Sequence, residues 1–533
     1  MTATTSSSPE PVASSSSPLA ERRVSGRDWI GFMAMVVGMF MAILDIQIVS
    51  SSLAEIQAGI SASADEIAWV QTAYLIAEVV IIPLTGWLSR VMSTRWLFVA
   101  SCVTFTVMSA GCAFAWSIDS MIVFRVLQGF LGGAMIPTVF ATSFTLFPRE
   151  KQAQTSVIIG LTATMAPTLG PTLGGWLTQT LNWHWLFLIN VVPGIIVTTL
   201  VVLFVRVNKP NWSLLRTLDV PGILMVALFL GSLQYLLEEG PLNNWFEEPK
   251  IRYAAVASVC GLVLMLAREL TAKHPVIDLH AFRNGNFVIG SLYSFVIGIG
   301  LYGSVYVLPL YLGRIRHYDS LEIGLIMMVT GAFQFISAPL AGALSKKIDL
   351  RLMLGIGLAL FGGGLYLNHD LTTEWGFGDL FLPQAVRGLS LMLLFIPVNQ
   401  IALGRLPKDE IANASGLYNL MRNLGGAIGL AVINTVLIDR SAHHGLWLAE
   451  KITAARPVVI EQLAGVQAHL FSALGEAAVP ASLALIGQRL RIQAQLLAVS
   501  DVWLLMALVF GASLLLMPFV RAVGHGGEDS GGH

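Results

Sequence analysis

The sequence predicts an all-α integral membrane protein of fourteen transmembrane helices, arranged as two six-helix repeats with two further helices inserted between them. Three observations predict this. Of 533 residues, 55% are hydrophobic and 12% charged, with a mean hydropathy of +0.72, a balance that soluble globular domains do not keep. Apolar runs near the ~20 residues needed to span a bilayer recur along the chain. Segments also repeat: Pro83-Leu84-Thr85-Gly86-Trp87-Leu88-Ser89-Arg90 matches Pro339-Leu340-Ala341-Gly342-Ala343-Leu344-Ser345-Lys346, and Leu169-Gly170-x-x-Leu173-Gly174 matches Leu424-Gly425-x-x-Ile428-Gly429, at offsets of 256 and 255. A common offset in separate segments marks one duplication.

In chain order, residues 1–28 are rich in Ser, Pro and Ala and are expected to form a disordered cytoplasmic tail. A cleaved signal peptide is the lesser reading, because the run that follows is long enough to span and contains Asp45. A first bundle, 29–206, holds helices 1 to 6 at 29–50, 67–88, 96–116, 119–145, 155–178 and 185–205. Residues 207–285 insert helices 7 and 8 at 219–238 and 251–270. A second bundle, 286–520, holds helices 9 to 14 at 286–312, 321–345, 352–368, 380–404, 412–437 and 500–520. A long periplasmic loop, 438–499, precedes the last helix, and 521–533 forms a second cytoplasmic tail. Within that loop, 446–455, 460–474 and 483–497 read as amphipathic helices.

Lys and Arg set the orientation. They cluster in alternate loops: Arg22, Arg23 and Arg27; Arg90 and Arg95; Arg149 and Lys151; Arg206, Lys209 and Arg216; Arg268, Lys273 and Arg283; Lys346, Lys347 and Arg351; Arg405 and Lys408; then Arg521. This places both termini of a multi-pass membrane protein in the cytoplasm. Two inserted helices preserve orientation, so the repeats are parallel, an arrangement that puts a substrate site at midplane between the halves.

Helix 5 carries a stripe of small residues, Ala166, Gly170 and Gly174, beside a second stripe of Ala163, Pro167, Pro171 and Gly175. Small residues at this spacing let two backbones approach closely. The prolines remove backbone donors and should kink or stiffen the helix, which lipid tolerates only where neighbouring protein meets the freed groups. A plain packing face explains this stretch as well as a functional one does.

Ionisable residues at membrane depth are costly and point to function. Asp45 lies about 10 Å below the outer end of helix 1, and Arg125 of helix 4 sits at a similar depth. Two readings follow: a static ion pair that fixes packing, or a proton switch. In the switch, burial favours the protonated carboxyl, the arginine favours the anion, and alternating access changes the distance between them. The second repeat offers no equivalent acid, since the matching position falls near Leu301. Glu78 in helix 2 is a neutral hydrogen-bonded carboxyl, a second proton site or a contact for cationic substrate. Arg422 in helix 13, with Asn419, reads as an inter-helix hydrogen-bonding group more than a substrate contact. Arg387 is expected to snorkel outward from helix 12, and Glu238 and Glu239 to be solvated at the end of helix 7.

Other chemistry is not supported. Cys102, Cys112 and Cys260 lie inside apolar runs and form neither a disulfide framework nor a metal set. His443 and His444 are adjacent but have no third ligand nearby, so no metal or cofactor is expected. No phosphate-binding G-x-x-x-x-G-K-[ST] loop occurs, and no nucleophile or carboxylate-pair motif is assembled. Nothing suggests nucleic acid as a partner.

The motifs resemble the fourteen-helix drug:proton antiporter branch of the major facilitator superfamily, nearest to its EmrB type. Gly160 to Gly175 resembles the antiporter motif of helix 5. Arg125-Val126-Leu127-Gln128-Gly129 resembles the helix 4 motif with its functional arginine, and Leu44-Asp45-Ile46-x-Ile48-Val49 the helix 1 motif with its acid. Trp183-His184-Trp185-Leu186-Phe187-Leu188-Ile189-Asn190-Val191-Val192-Pro193-Gly194 resembles the junction of helices 5 and 6, and Asp219-Val220-Pro221-Gly222 the opening of helix 7. One motif departs. The helix 2–3 gating loop usually carries an acid and a second glycine, and here Arg90 and Ser93 stand in their places, between Gly86 and Arg95. That puts the usual cytoplasmic charge relay in doubt.

The resemblance implies a major facilitator fold and export of hydrophobic or amphipathic toxic compounds driven by proton entry. Asp45, Arg125 and Glu78 would serve proton coupling, and Gln128, Asn419 and Arg422 polar contacts to substrate or between helices. The implied partners are the lipid bilayer, hydrophobic small molecules, protons, a periplasmic adaptor and, through it, an outer-membrane channel. Alternatives are a dedicated exporter of one metabolite, such as a fatty acid, siderophore or antibiotic, and a non-transporting membrane sensor or scaffold.

Overall fold

The computed structural model describes residues 24–521 apart from 273, 274, 276, 454 and 455. The expectations for the outer parts of both tails, including Arg22 and Arg23, and for Lys273 lie outside the described residues. Among the described residues the regular structure is entirely helical. Thirteen helices are long and apolar enough to cross a membrane, and a shorter apolar helix at Leu350–Tyr366 makes the fourteenth of the series. Helices 1 to 6 are Gly26–Ser50, Trp69–Met92, Thr94–Ala113, Ile118–Leu146, Arg149–Thr180 and Trp185–Phe204. Helices 7 and 8 are Val220–Glu239 and Pro249–Thr271. Helices 9 to 14 are Gly285–Arg314, Leu321–Leu344, Leu350–Tyr366, Phe377–Leu403, Ile411–Lys451 and Ala478–Phe519.

Local chemistry sets several of these limits. Ser25 and Asp28 form a capping box at the start of helix 1, as do Asp319 and Glu322 before helix 10. Ser93 ends helix 2 with φ of 74° and caps helix 3. That backbone conformation suits glycine, so the usual glycine of this loop has a steric origin. The loop expected over 438–499 needs correction. Helix 13 continues to Lys451, Pro457–Leu474 is a separate helix, and helix 14 begins at Ala478. The expected segments at 446–455 and 483–497 therefore belong largely to the two long helices. Falling hydropathy marks where a bilayer ends, whereas a helix ends where its hydrogen bonding is interrupted, and no proline interrupts residues 438–451.

The two sets of six helices pack by the same plan. Helix 1 packs on 5 and 6, helix 4 on 2 and 3, and helix 3 on 6; helix 9 packs on 13 and 14, helix 12 on 10 and 11, and helix 11 on 14. The glycines repeat the plan in detail. A Cβ on Gly170 of helix 5 would collide with Gln47 of helix 1, and on Gly174 it would collide with Ser51 Oγ, just past the end of helix 1. On Gly425 of helix 13 it would strike the Phe295 carbonyl of helix 9, and on Gly429 it would lie 3.1 Å from Ile299 Cα. Helix 5 joins the halves by packing on helices 10 and 12, and Gly160 lies against Phe395 there. Helix 7 lies against helices 2 and 13, and helix 8 packs chiefly on helix 7.

Candidate functional site

Between the halves lies a cavity of about 710 Å³, walled by helices 1, 2, 5, 7, 9, 10 and 13. It reaches the end that carries the C-termini of helices 7 and 9, where Glu239 and Arg314 line it. At the other end, where the basic loops lie, the halves close on each other. A Cβ on Gly86 of helix 2 would be 2.9 Å from the Asn413 backbone nitrogen, and Ser415 Oγ donates to the Pro137 carbonyl at 2.6 Å.

Beside the cavity, sealed from it, sits the charged cluster of the first half. Arg125 Nη1 donates to Asp45 Oδ2 at 2.6 Å and to Gln128 Oε1 at 2.9 Å, and its Nε donates to the Val70 carbonyl at 3.0 Å. Gln128 Nε2 and Asn190 Nδ2 donate to Asp45 Oδ1 at 3.2 and 2.8 Å. Arg125 also covers the Tyr74 ring at 4.1 Å. Asp45 is 1% exposed and Arg125 fully buried. These three side-chain donors take the place of the water that a carboxyl group loses in a dry interior. The backbone makes room for the cluster: a Cβ on Gly129 would run into the Tyr74 carbonyl, so helices 2 and 4 meet without side chains between them.

Helices 1 and 4 thus bring Asp45, Arg125 and Gln128 together, as their depths suggested. Sequence reasoning missed Asn190, Tyr74 and Ser109, which accepts from Asn190 at 3.1 Å. Asn190 was legible as a lone polar residue in an apolar run.

Glu78 lines the cavity, is 3% exposed and makes no hydrogen bond or ion pair among the described residues. Of the three readings of Glu78, the hydrogen-bonded carboxyl finds no partner among the described residues, and its polar surroundings are the cavity. Gly133, where helix 4 is interrupted, packs on its Cγ side. Arg422 is corrected. Its hydrogen bond goes to Asn419 of its own helix, Asn419 donates to Ser415 one turn back, and the neighbours across helices are the rings of Phe140 and Phe395. Arg387 does not snorkel: it is 3% exposed, donates to Gln384 at 2.6 Å and lies over the Phe361 and Trp503 rings. Depth alone gives no facing, and the face of helix 12 that carries Arg387 turns inward. Glu238 and Glu239, expected to be solvated, are partly buried and line the cavity.

On helix 5, Pro167, Gly170, Gly174 and Gly175 are buried, and Pro171 lines the cavity. At the junction of helices 2 and 3, Arg90 of helix 2 is exposed and Arg95 of helix 3 bonds the Val202 carbonyl, while Asn208 ties the two helices through Thr94 N and Ser89 O. Neither arginine has a carboxylate partner among the described residues. Asparagine bonds thus occupy the place of the usual charge relay. Among the described residues no cluster of His, Cys, Asp and Glu suits a metal ion.

Comparison with known proteins follows the same lines. Residues 35–430 match the Major Facilitator Superfamily. The chain is 40% identical to the colistin resistance protein EmrB of Acinetobacter baumannii, over 92% of this chain and 96% of that protein. It is 31% identical to the multidrug export protein EmrB of Haemophilus influenzae, over 80% of this chain and 84% of that one. The proton:xylose symporter XylE shares the fold at a TM-score of 0.58 and 14% identity, over 94% of this chain and 97% of that structure. A transporter architecture with a cavity between its halves, and kinship over nearly the whole length, lead to one assignment: the chain belongs to the Major Facilitator Superfamily, within its EmrB-type branch.

Proposed function

We propose that this multi-pass inner-membrane protein exports hydrophobic or amphipathic toxic compounds in exchange for protons, with both termini in the cytoplasm. The observation that carries the reading is the Asp45 cluster: a carboxylate 1% exposed, held by Arg125, Gln128 and Asn190 beside a cavity between two halves. A static scaffold has no need of a charge so placed. In the proposed cycle, rearrangement of helices 1 and 4 parts Asp45 from Arg125, Asp45 takes a proton from the acidic side, and re-pairing expels it to the other side. Glu78, open to the cavity, is the second candidate for proton exchange. Gly86, Arg90 and Arg95 flank the cytoplasmic closure, and the smooth contact of helices 1 and 5 lets the first half move as a unit.

The relatives' names, colistin resistance and multidrug export, support export of more than one compound. The test uses inverted vesicles with an inside-acid gradient and a panel of lipophilic compounds. Gradient collapse on addition of several compounds supports the reading, and collapse that persists unchanged in Asp45→Asn removes Asp45 from coupling.

We further propose that a periplasmic adaptor, leading to an outer-membrane channel, docks on the helices beyond residue 438. Leu446, Val458, Ile460 and Phe471 are exposed there, more apolar surface than helices facing water usually present. Adaptor binding that survives deletion of residues 445 to 495 would remove this surface from consideration.

A further inference from the structure

Helix 7 belongs to neither repeat, yet it is a wall of the cavity. It lies against helix 2 of the first half and helix 13 of the second, and just beyond its end Trp245 Nε1 donates to Thr435 Oγ1 of helix 13 at 2.9 Å. Its inward face presents Gln234 and Glu238 to the cavity. Gln234 is buried and donates to Glu238 Oε1 at 3.0 Å, which fixes the carboxylate on that face.

Glu78 lines the same cavity from helix 2. It is more than nine-tenths buried, and its carboxyl has no hydrogen-bond or ion-pair partner among the described residues. Arg125 and Arg422 act on it through space, but neither comes within hydrogen-bonding distance. Among the described residues Glu238 has no ion-pair partner, and its hydrogen bond comes from Gln234. The charged residues lining the cavity are Glu78, Glu238, Glu239 and Arg314, and Arg314 is exposed at the rim. Tyr302 and Tyr306 of helix 9 line the same cavity, and aromatic ring faces attract cations. A buried carboxylate without a partner is costly, and a cation that enters with its own apolar body offsets that cost.

We propose that the inserted helix 7 builds a substrate subsite, in which Glu238 selects organic cations with an apolar body and acts together with Glu78. This rests on the reading of the cavity as the exporter's substrate site and names a substrate class for it. The insertion would then widen the range of compounds handled by adding a charge that neither repeat supplies.

The test measures binding to the purified full chain in detergent by isothermal titration, without transport. The probes are tetraphenylphosphonium and its neutral analogue triphenylphosphine oxide. Glu238→Gln is expected to weaken tetraphenylphosphonium binding by about tenfold and to leave the neutral analogue within about twofold. Glu238→Asp should retain most of the affinity, which guards against misfolding as the cause. Glu247→Gln, beyond the end of helix 7 and outside the cavity lining, should change neither. The proposal is overturned if Glu238→Gln weakens both probes alike, if it weakens neither, or if the wild type does not bind tetraphenylphosphonium. Selective binding in a protein that collapses no gradient in vesicles would keep the subsite and remove the exporter reading.

Discussion

Arg125 Nη1 stands 2.6 Å from Asp45 Oδ2, and neither side chain is exposed. The second half holds a reversed counterpart. Arg125-x-x-Gln128-Gly129 of helix 4 aligns with Gln384-x-x-Arg387-Gly388 of helix 12, and Gly129 and Gly388 each lie against a backbone carbonyl, of Tyr74 and Thr330. The glycine contacts are kept while arginine and glutamine exchange places. Among the described residues, only the first half adds a carboxylate to this arrangement. Duplication thus supplied two frames, and charge pairing developed in one.

That asymmetry predicts what Asp45→Asn does. The amide keeps the shape and removes the charge, so gradient-driven export should fall about tenfold or more while substrate binding stays within about threefold. Vesicle export and titration of the same preparation check this. Arg125→Ala should be worse for folding, because it strands a buried carboxylate at a cost of about 3–5 kcal/mol, read as a lowered unfolding temperature.

Asn190 is the donor to Asp45 that comes from helix 6, and it also donates to Ser109. Asn190→Ala leaves Gln128 and Arg125 in place, so the expected loss is about 1–3 kcal/mol of stability with export reduced but present. Thermal unfolding beside vesicle export separates this from the loss in Asp45→Asn. Export equal to wild type would show that the Asn190 bond contributes nothing to coupling.

The contrast between Asn190 and Asp45 shows what a sequence discloses. Charges at membrane depth and long apolar runs are visible one residue at a time, and depth along two helices placed Asp45 level with Arg125. Asn190 reaches Asp45 only through the packing of helix 6 on helix 1, which no local pattern encodes. Arg387 and Glu238 failed for a related reason. Distance from a helix end was read as exposure, whereas the facing is set by helices 11 and 14 around Arg387 and by helices 2 and 13 around helix 7.

Close approach of helices 2 and 4 makes Gly129 intolerant. A Cβ there meets the carbonyl, carbonyl carbon and Cα of Tyr74, all backbone, so nothing flexible can yield. Gly129→Ala should cost about 1–3 kcal/mol and displace Tyr74 from Arg125. Gly363→Ala, where a Cβ meets nothing within 4 Å, is the matched control and should unfold at or above the wild-type temperature.

At the start of helix 7, Asp219 accepts the Gly222 N–H at 3.2 Å and pairs with Arg268 of helix 8 at 2.9 Å. The guanidinium holds the Asp219 carboxyl below the usual carboxylate range, against the opposing effect of burial. A depressed folded-state value stabilises above the unfolded pKa, near 4, and that stabilisation is lost as pH falls through the lower folded value. Asp219→Asn keeps a capping oxygen and loses the ion pair, which at a half-exposed arginine is worth about 1 kcal/mol or less. Unfolding temperatures of wild type and variant should differ at pH 7 and converge as pH falls through the depressed folded-state value of Asp219.

Arg387 provides the last comparison. It is buried with no carboxylate partner among the described residues, and Gln384 Oε1, which accepts from it, also accepts from Thr330 at 3.0 Å. Replacing a buried lone cation with an apolar side chain of similar length removes a desolvation cost and strands no opposite charge. Arg387→Met should therefore leave the unfolding temperature unchanged or raise it, and Thr330 should hold Gln384 in place. The same substitution at the reversed position, Arg125→Met, strands Asp45 and should lower it by several degrees. An equal loss in both variants would mean that Arg387 is paired in the membrane with an anion, and that the second half carries a charge pair of its own. Selective loss at Arg125 would confine charge pairing to the first half, with Asp45 as its acid.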